Sequence, residues 1–146
     1  MEVFIANEQA LSVDEPSLSG LARHALDKEG LDESAELSIL LVGADHIRRL
    51  NARFASNDYA TDVLSFPMMD DEESNESMLG DVVLCPEVAR ANAERLDHSL
   101  DRELNVLLVH GILHLLGYDH QGKTDRSDME RRLDEILESY VPSSAR

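Results

Sequence analysis

Three of the chain's six histidines, His110, His114 and His120, lie in one run, HGILHLLGYDH, and their spacing constrains the fold more than any other feature. His110 and His114 are four residues apart, which on a helix places both on one face, one turn above the other. Gly117 supplies the backbone freedom that ends a helix and turns the chain, so His120 is expected to swing back toward the first two. A lone histidine on an apolar helix is usually a hydrogen-bonded core residue. Three together, with the helix-ending glycine and the leucine-rich surroundings, predict ligation of one metal ion by His110, His114 and His120. No fourth protein ligand stands in the run. Three imidazoles with an open position describe a catalytic zinc site, because structural zinc sites are normally closed by four side chains and rich in cysteine. This chain has one cysteine.

At 146 residues the chain is expected to be a single domain, residues 1–146, that buries roughly two thirds of its unfolded surface and needs no disulfide. The N-terminal MEVFIANEQALSVDE has neither a basic start nor a long apolar core, and no apolar run approaches the roughly 20 residues of a membrane span. A cytoplasmic location follows as an expectation. Cys85, alone in an apolar stretch, reads as a small buried residue of a reducing compartment. The net charge of −17 disfavours non-specific gripping of nucleic acid through phosphates, and no DNA partner is expected. The basic residues cluster at Arg48, Arg49 and Arg53, at Arg90 and Arg95, and at Arg126, Arg131 and Arg132; each cluster reads as a solvated helix face. A bound divalent metal would add local positive charge that the formal count leaves out.

Hydrophobic periodicity gives a mixed order of elements. Residues 2–6 and 36–42 read as strands, with an amphipathic helix between them carried by Leu18, Leu21, Ala22 and Ala25 and ending near Gly30. The next helix should turn Ile47, Leu50 and Phe54 inward and its arginines outward. A third strand at 63–66 stops at Pro67, and a fourth spans 79–85. Between them, the stretch from Met68 to Met78 contains DDEESNES, without periodicity, and reads as a mobile, solvated loop and not as a cation site. Pro86 opens a helix through about Leu96. The histidine-bearing helix, with Leu104, Leu107, Leu108 and Ile112, belongs at the centre of the core. Thr124 can cap the last helix, whose inward face is Met129, Leu133, Ile136, Leu137 and Tyr140. The expected fold class is α+β, a four-stranded mixed sheet packed by helices with a zincin-like three-histidine helix against it.

Zinc on three histidines lowers the pKa of bound water to about 7 and polarises a carbonyl or phosphoryl oxygen, so hydrolysis is the reaction class. The spacing coincides with the extended metalloprotease pattern H-E-x-x-H-x-x-G-x-x-H, but Gly111 stands where such peptidases carry their general-base glutamate. A peptidase would then need another proton acceptor, Asp119 or a residue from a distant loop. Phosphodiester cleavage does not require that glutamate, since a ribose 2′-hydroxyl or a metal-bound water can attack while the metal neutralises the phosphate.

The run HGILHLLGYDH, the upstream TDVLSFP at Thr61 to Pro67 and LGDVVLC at Leu79 to Cys85 together resemble the YbeY family of bacterial rRNA maturation factors, in order over roughly residues 36–138. The resemblance implies a single-strand-specific, metal-dependent endoribonuclease acting in 16S rRNA maturation, especially at the 3′ end, and in ribosome quality control. It implies rRNA and ribosomal particles or associated proteins as partners, a cytoplasmic setting, and His110, His114 and His120 as ligands of one Zn²⁺. Thr61, Asp62 and Ser65 either cap and turn the backbone at the start of the strand or act in the site.

One position departs from the family pattern. Many members carry an arginine six residues before the threonine, where this chain has Ala55, and a proline where it has Ala60. Arg53 lies two residues earlier, about 200° away on a helix. The phosphate-holding role therefore falls to Arg53, Arg49 or Lys123, or to none of them, and the general base is unassigned. Two other readings stand beside the ribonuclease: a metallopeptidase-like hydrolase, and a non-catalytic ribosome-assembly factor whose metal only secures the fold.

Overall fold

A computed structural model describes residues 1–68, 77–118 and 123–141, with side chains from residue 127 onward in the last stretch. The elements run β1 (Glu2–Glu8), α1 (Glu15–Lys28), β2 (Glu36–Val42), α2 (Ala44–Ala55), β3 (Val63–Pro67), β4 (Met78–Leu84), α3 (Pro86–Leu96), α4 (Leu100–Leu115) and α5 (Lys123–Ser139). The sheet order is β1-β2-β4-β3, with β1, β2 and β4 parallel and β3 antiparallel to β4 at an edge. This is the expected α+β, four-stranded mixed sheet with helices packed on it.

The alternation of side chains along the strands sorts the core into two clusters. Leu37, Ile39, Leu41, Val82 and Leu84 face one side and pack with α1, α4 and α5; Val42, Val83 and Cys85 face the other, under Ile47 of α2. Helix α4 sits in the larger cluster with Leu104, Leu107, Leu108, Val109, Ile112 and Leu113 all buried, and it touches α1, α3, α5, β3 and β4. A helix apolar on nearly every side has to be central. Ser99 caps its start by accepting the N–H of Arg102 at 3.0 Å.

Three local expectations are corrected. Strand β3 includes Pro67. The bonds Cys85 N–H to Asp62 O and Met68 N–H to Leu79 O make the even-numbered residues of β3 those paired with β4, so Pro67 turns its missing donor toward the open edge, where the ladder loses nothing. Phe54 does not turn inward. The buried face of α2 continues through Asn51, whose amide donates to Tyr59 O at 3.0 Å, and Phe54 is 59% exposed. Helix α5 begins at Lys123, one residue before the expected cap Thr124, whose side chain lies outside the described residues. Its inward face is as expected, with Met129 and Ile136 buried and Leu133, Leu137 and Tyr140 packed against them. The acidic stretch read as a loop falls at residues 69–76, outside the described residues. Among the described residues no helix is long and apolar enough to cross a membrane.

Candidate functional site

The C-terminal end of α4 carries His110 and His114, each partly exposed on the one side of this helix not sunk in the core. Their Nε2 atoms are 2.9 Å apart and their ring centroids 4.6 Å apart. Two ring nitrogens so close must be of opposite kind, one N–H donor and one acceptor, or must share a cation. Tetrahedral zinc with Zn–N bonds of about 2.0–2.1 Å separates two of its nitrogens by roughly 3.3 Å, so a small opening of the pair would admit the ion. The donor set therefore fits a divalent metal that favours nitrogen.

The helix ends as the glycine foretold. Gly117 takes φ +99, Gly117 N–H donates to His114 O at 3.1 Å, and Tyr118 N–H donates to Leu113 O at 3.0 Å. These two bonds make a Schellman motif, which requires a left-handed residue at its turn. Tyr118 itself is anchored, since its OH donates to Glu29 Oε2 at 3.1 Å, and Arg132 Nε donates to Glu29 Oε1 at 2.8 Å. Burial first, and the neighbouring Glu29 second, push the Tyr118 hydroxyl above its ordinary pKa, which keeps it a donor. His120, expected as the third ligand, and Asp119 lie outside the described residues. Among the described residues no group of three or more metal-binding side chains comes together.

Opposite the histidines stands β3. Val63, Leu64, Ser65 and Pro67 line, with His110 and His114, a groove of about 390 Å³. Ser65 Oγ donates to Gly111 O at 2.9 Å, joining strand to helix. A Cβ at Gly111 would meet Val82 Cγ1 at 2.7 Å, Ser65 Oγ at 3.2 Å and Val63 Cγ2 at 3.3 Å. Glycine is thus what lets α4 lie against the sheet, and a glutamate here would displace the wall of the groove. The absence of the peptidase base is built into the packing.

Beside the groove, Asp62 is held as it leads into β3. Its Oδ2 accepts from Asn92 Nδ2 at 2.9 Å, and the same amide lies 3.3 Å from Glu103 Oε2. Glu103, 5% exposed, also pairs with His98 Nε2 at 2.8 Å. This network ties the start of β3, α3 and α4 together through the Asp62 carboxylate. Sequence reasoning missed Asn92, His98, Glu103 and Glu29, and it read Arg132 as part of a solvated face, whereas that side chain is largely covered and paired with Glu29. The signal was Glu103, a charge at helical spacing from Leu100 and Leu107 on the core-facing side of α4, which burial obliges to find partners.

The basic residues divide. Arg48 is tied to Asp58 at 2.8 Å, which holds that carboxyl below its usual range, whereas Arg49 and Arg53 make no ion pair among the described residues. Arg53 lies with its guanidinium carbon 5.2 Å from the centroid of the Phe54 ring. Ala55 ends α2, exposed, and offers no charge. The side chains of Lys123 and Arg126 are outside the described ones. Cys85 is buried, and burial pushes its thiol up, as befits a core residue and not a nucleophile.

Comparison with known proteins agrees with this architecture. A model of the family described as endoribonuclease YbeY matches residues 4–141. Endoribonuclease YbeY of Salinispora tropica is 42% identical, with all of both chains covered. That of Frankia casuarinae is 46% identical over 96% of this chain and 75% of its own length. A solution structure of a protein from Thermotoga maritima superposes with a TM-score of 0.61 at 28% identity, covering 93% of this chain and 89% of that one. Similarity that runs through the sheet, the histidine helix and the strand facing it leaves one conclusion: this chain belongs to the endoribonuclease YbeY family.

Proposed function

We propose that the chain is a zinc-dependent, single-strand-specific endoribonuclease that matures the 3′ end of 16S rRNA and serves ribosome quality control in the cytoplasm, working on rRNA within ribosomal particles. His110, His114 and His120 hold one Zn²⁺ in this reading. Its main support is the 2.9 Å approach of two imidazole nitrogens at the head of an open groove, in a chain whose relatives are named endoribonucleases.

Zinc in that position supplies a polarised phosphoryl oxygen and a water acidified toward neutral pH. The chain's own residues do the rest. The side chains of Val63 and Pro67 give the groove an apolar wall that narrows access for water. The register of β3 turns the backbone N–H groups of Val63 and Ser65 toward the open edge, where they are donors for an anionic substrate. The Ser65 hydroxyl is spent on Gly111 and fixes the distance from strand to histidines.

Purified protein incubated with labelled single-stranded RNA, the same RNA annealed to its complement, and casein tests the reading. Cutting of the single strand alone, abolished by EDTA, is expected. Metal-dependent cleavage of casein would favour the peptidase, and inactivity on all three would favour the assembly factor.

A further inference from the structure

Strand β3, which lines the histidine groove, has a second side. Val63 and Ser65 point at α4, and Leu64 and Phe66 point the other way, toward α2. There Phe66 meets Phe54 edge to face, ring centroids 5.4 Å apart and planes at 73°. Phe54 keeps 59% of its surface exposed, and the Arg53 guanidinium stands 5.2 Å from its ring. An exposed phenylalanine at the end of a helix contributes little to the core, and the chain has only three phenylalanines. Arg53 is moreover a cation without an ion pair among the described residues, in a chain of net charge −17. The neighbouring acid Asp58 is neutralised by Arg48.

We propose that Arg53, Phe54 and Phe66 form a stacking platform for single-stranded RNA, seating an unpaired base on the α2 side of β3 while the adjoining phosphodiester lies in the histidine groove. This rests on the ribonuclease reading above. Every base has a flat π-face, so an exposed aromatic ring with a guanidinium beside it binds single strands with little regard to sequence. Duplex RNA keeps its bases stacked on one another and offers none to the ring, which makes the platform a source of single-strand preference. Platform and groove lie on opposite faces of the same edge strand, with Phe66 between two residues, Ser65 and Pro67, that line the groove. The open edge of β3 gives the strand a path from one side to the other.

The test uses the full chain and a short labelled single-stranded RNA, with binding followed by anisotropy in EDTA and cleavage measured with zinc. Base stacking of about 1–3 kcal/mol corresponds to roughly 5- to 150-fold in affinity, so Phe54→Ala is expected to weaken binding at least about fivefold and raise KM alike. Phe54→Leu covers Phe66 but has no π-face and should behave as Phe54→Ala does, while Phe54→Tyr should bind as the unaltered chain. In Phe54→Ala and Phe54→Leu the loss should fall more on KM than on turnover at saturating RNA. Arg53→Ala should lower the slope of log affinity on log salt by about 0.7. Binding by Phe54→Ala and Phe54→Leu equal to that of the unaltered chain, with cleavage intact, would overturn the platform alone. Failure of the unaltered chain to bind or cut the RNA would overturn the ribonuclease reading and the platform with it.

Discussion

Ser65 on the edge strand and Gly111 in the C-terminal part of the histidine helix are joined by a 2.9 Å hydrogen bond from the serine hydroxyl to the glycine carbonyl. Position 111 directly follows His110, so the bond fixes the width of the groove at its floor. Ser65→Ala should cost about 0.5–1.5 kcal/mol, the usual worth of such a bond, read from the midpoint of urea unfolding. Because the hydroxyl is committed to the helix, activity should fall only modestly. A loss of several orders of magnitude with stability unchanged would mean that Ser65 touches substrate.

Gly111→Ala sets two known effects against each other. Alanine gains about 1 kcal/mol of helix propensity, but its methyl would lie 2.7 Å from Val82 Cγ1, an overpacking that costs about 1–3 kcal/mol. Net destabilisation is expected. Gly111→Glu should be worse, and it should confer no casein cleavage; a stable, proteolytic Gly111→Glu variant would contradict the packing argument.

The buried network of Glu103 predicts a stability effect separable from chemistry. Glu103→Ala strips His98 and Asn92 of a carboxylate at 2.8 and 3.3 Å and should destabilise by about 1–3 kcal/mol. Zinc binding by the folded variant should persist, since the network touches neither His110 nor His114 among the described contacts. Calorimetric unfolding together with zinc titration checks both halves.

Much of this was legible beforehand. The histidine helix, its end at Gly117 and its central place follow from the four-residue spacing, the glycine and the leucines, all of which act locally. Strand β2 and the opening of α3 at Pro86 were likewise plain. Phe54 was misplaced because helical periodicity does not say where a helix overhangs the sheet; α2 reaches its last turn beside the edge strand, where Phe54 packs on Phe66. The pairs Asn92 with Asp62 and Arg132 with Glu29 join residues 30 and 103 positions apart, and no local pattern reports such contacts. Gly111 was read as a missing base. Its role in letting helix and strand approach appears only once the sheet is assembled.

Cys85 offers a check on the core itself. Its thiol is buried and its pKa pushed up by that burial, so at neutral pH it should react with an aromatic disulfide reagent only as the chain unfolds. Reaction in native buffer as fast as in urea would show that the α2 side of the sheet opens.

In the proposed function, RNA cutting depends on a metal held by His110 and His114. The most direct measurement strips the protein of metal, titrates zinc back, and follows cleavage of labelled single-stranded RNA by the unaltered chain and by folded His114→Ala. Activity should return to the unaltered chain at about one zinc per chain and never to the variant. Equal cleavage by the stripped protein, or by His114→Ala, would contradict it.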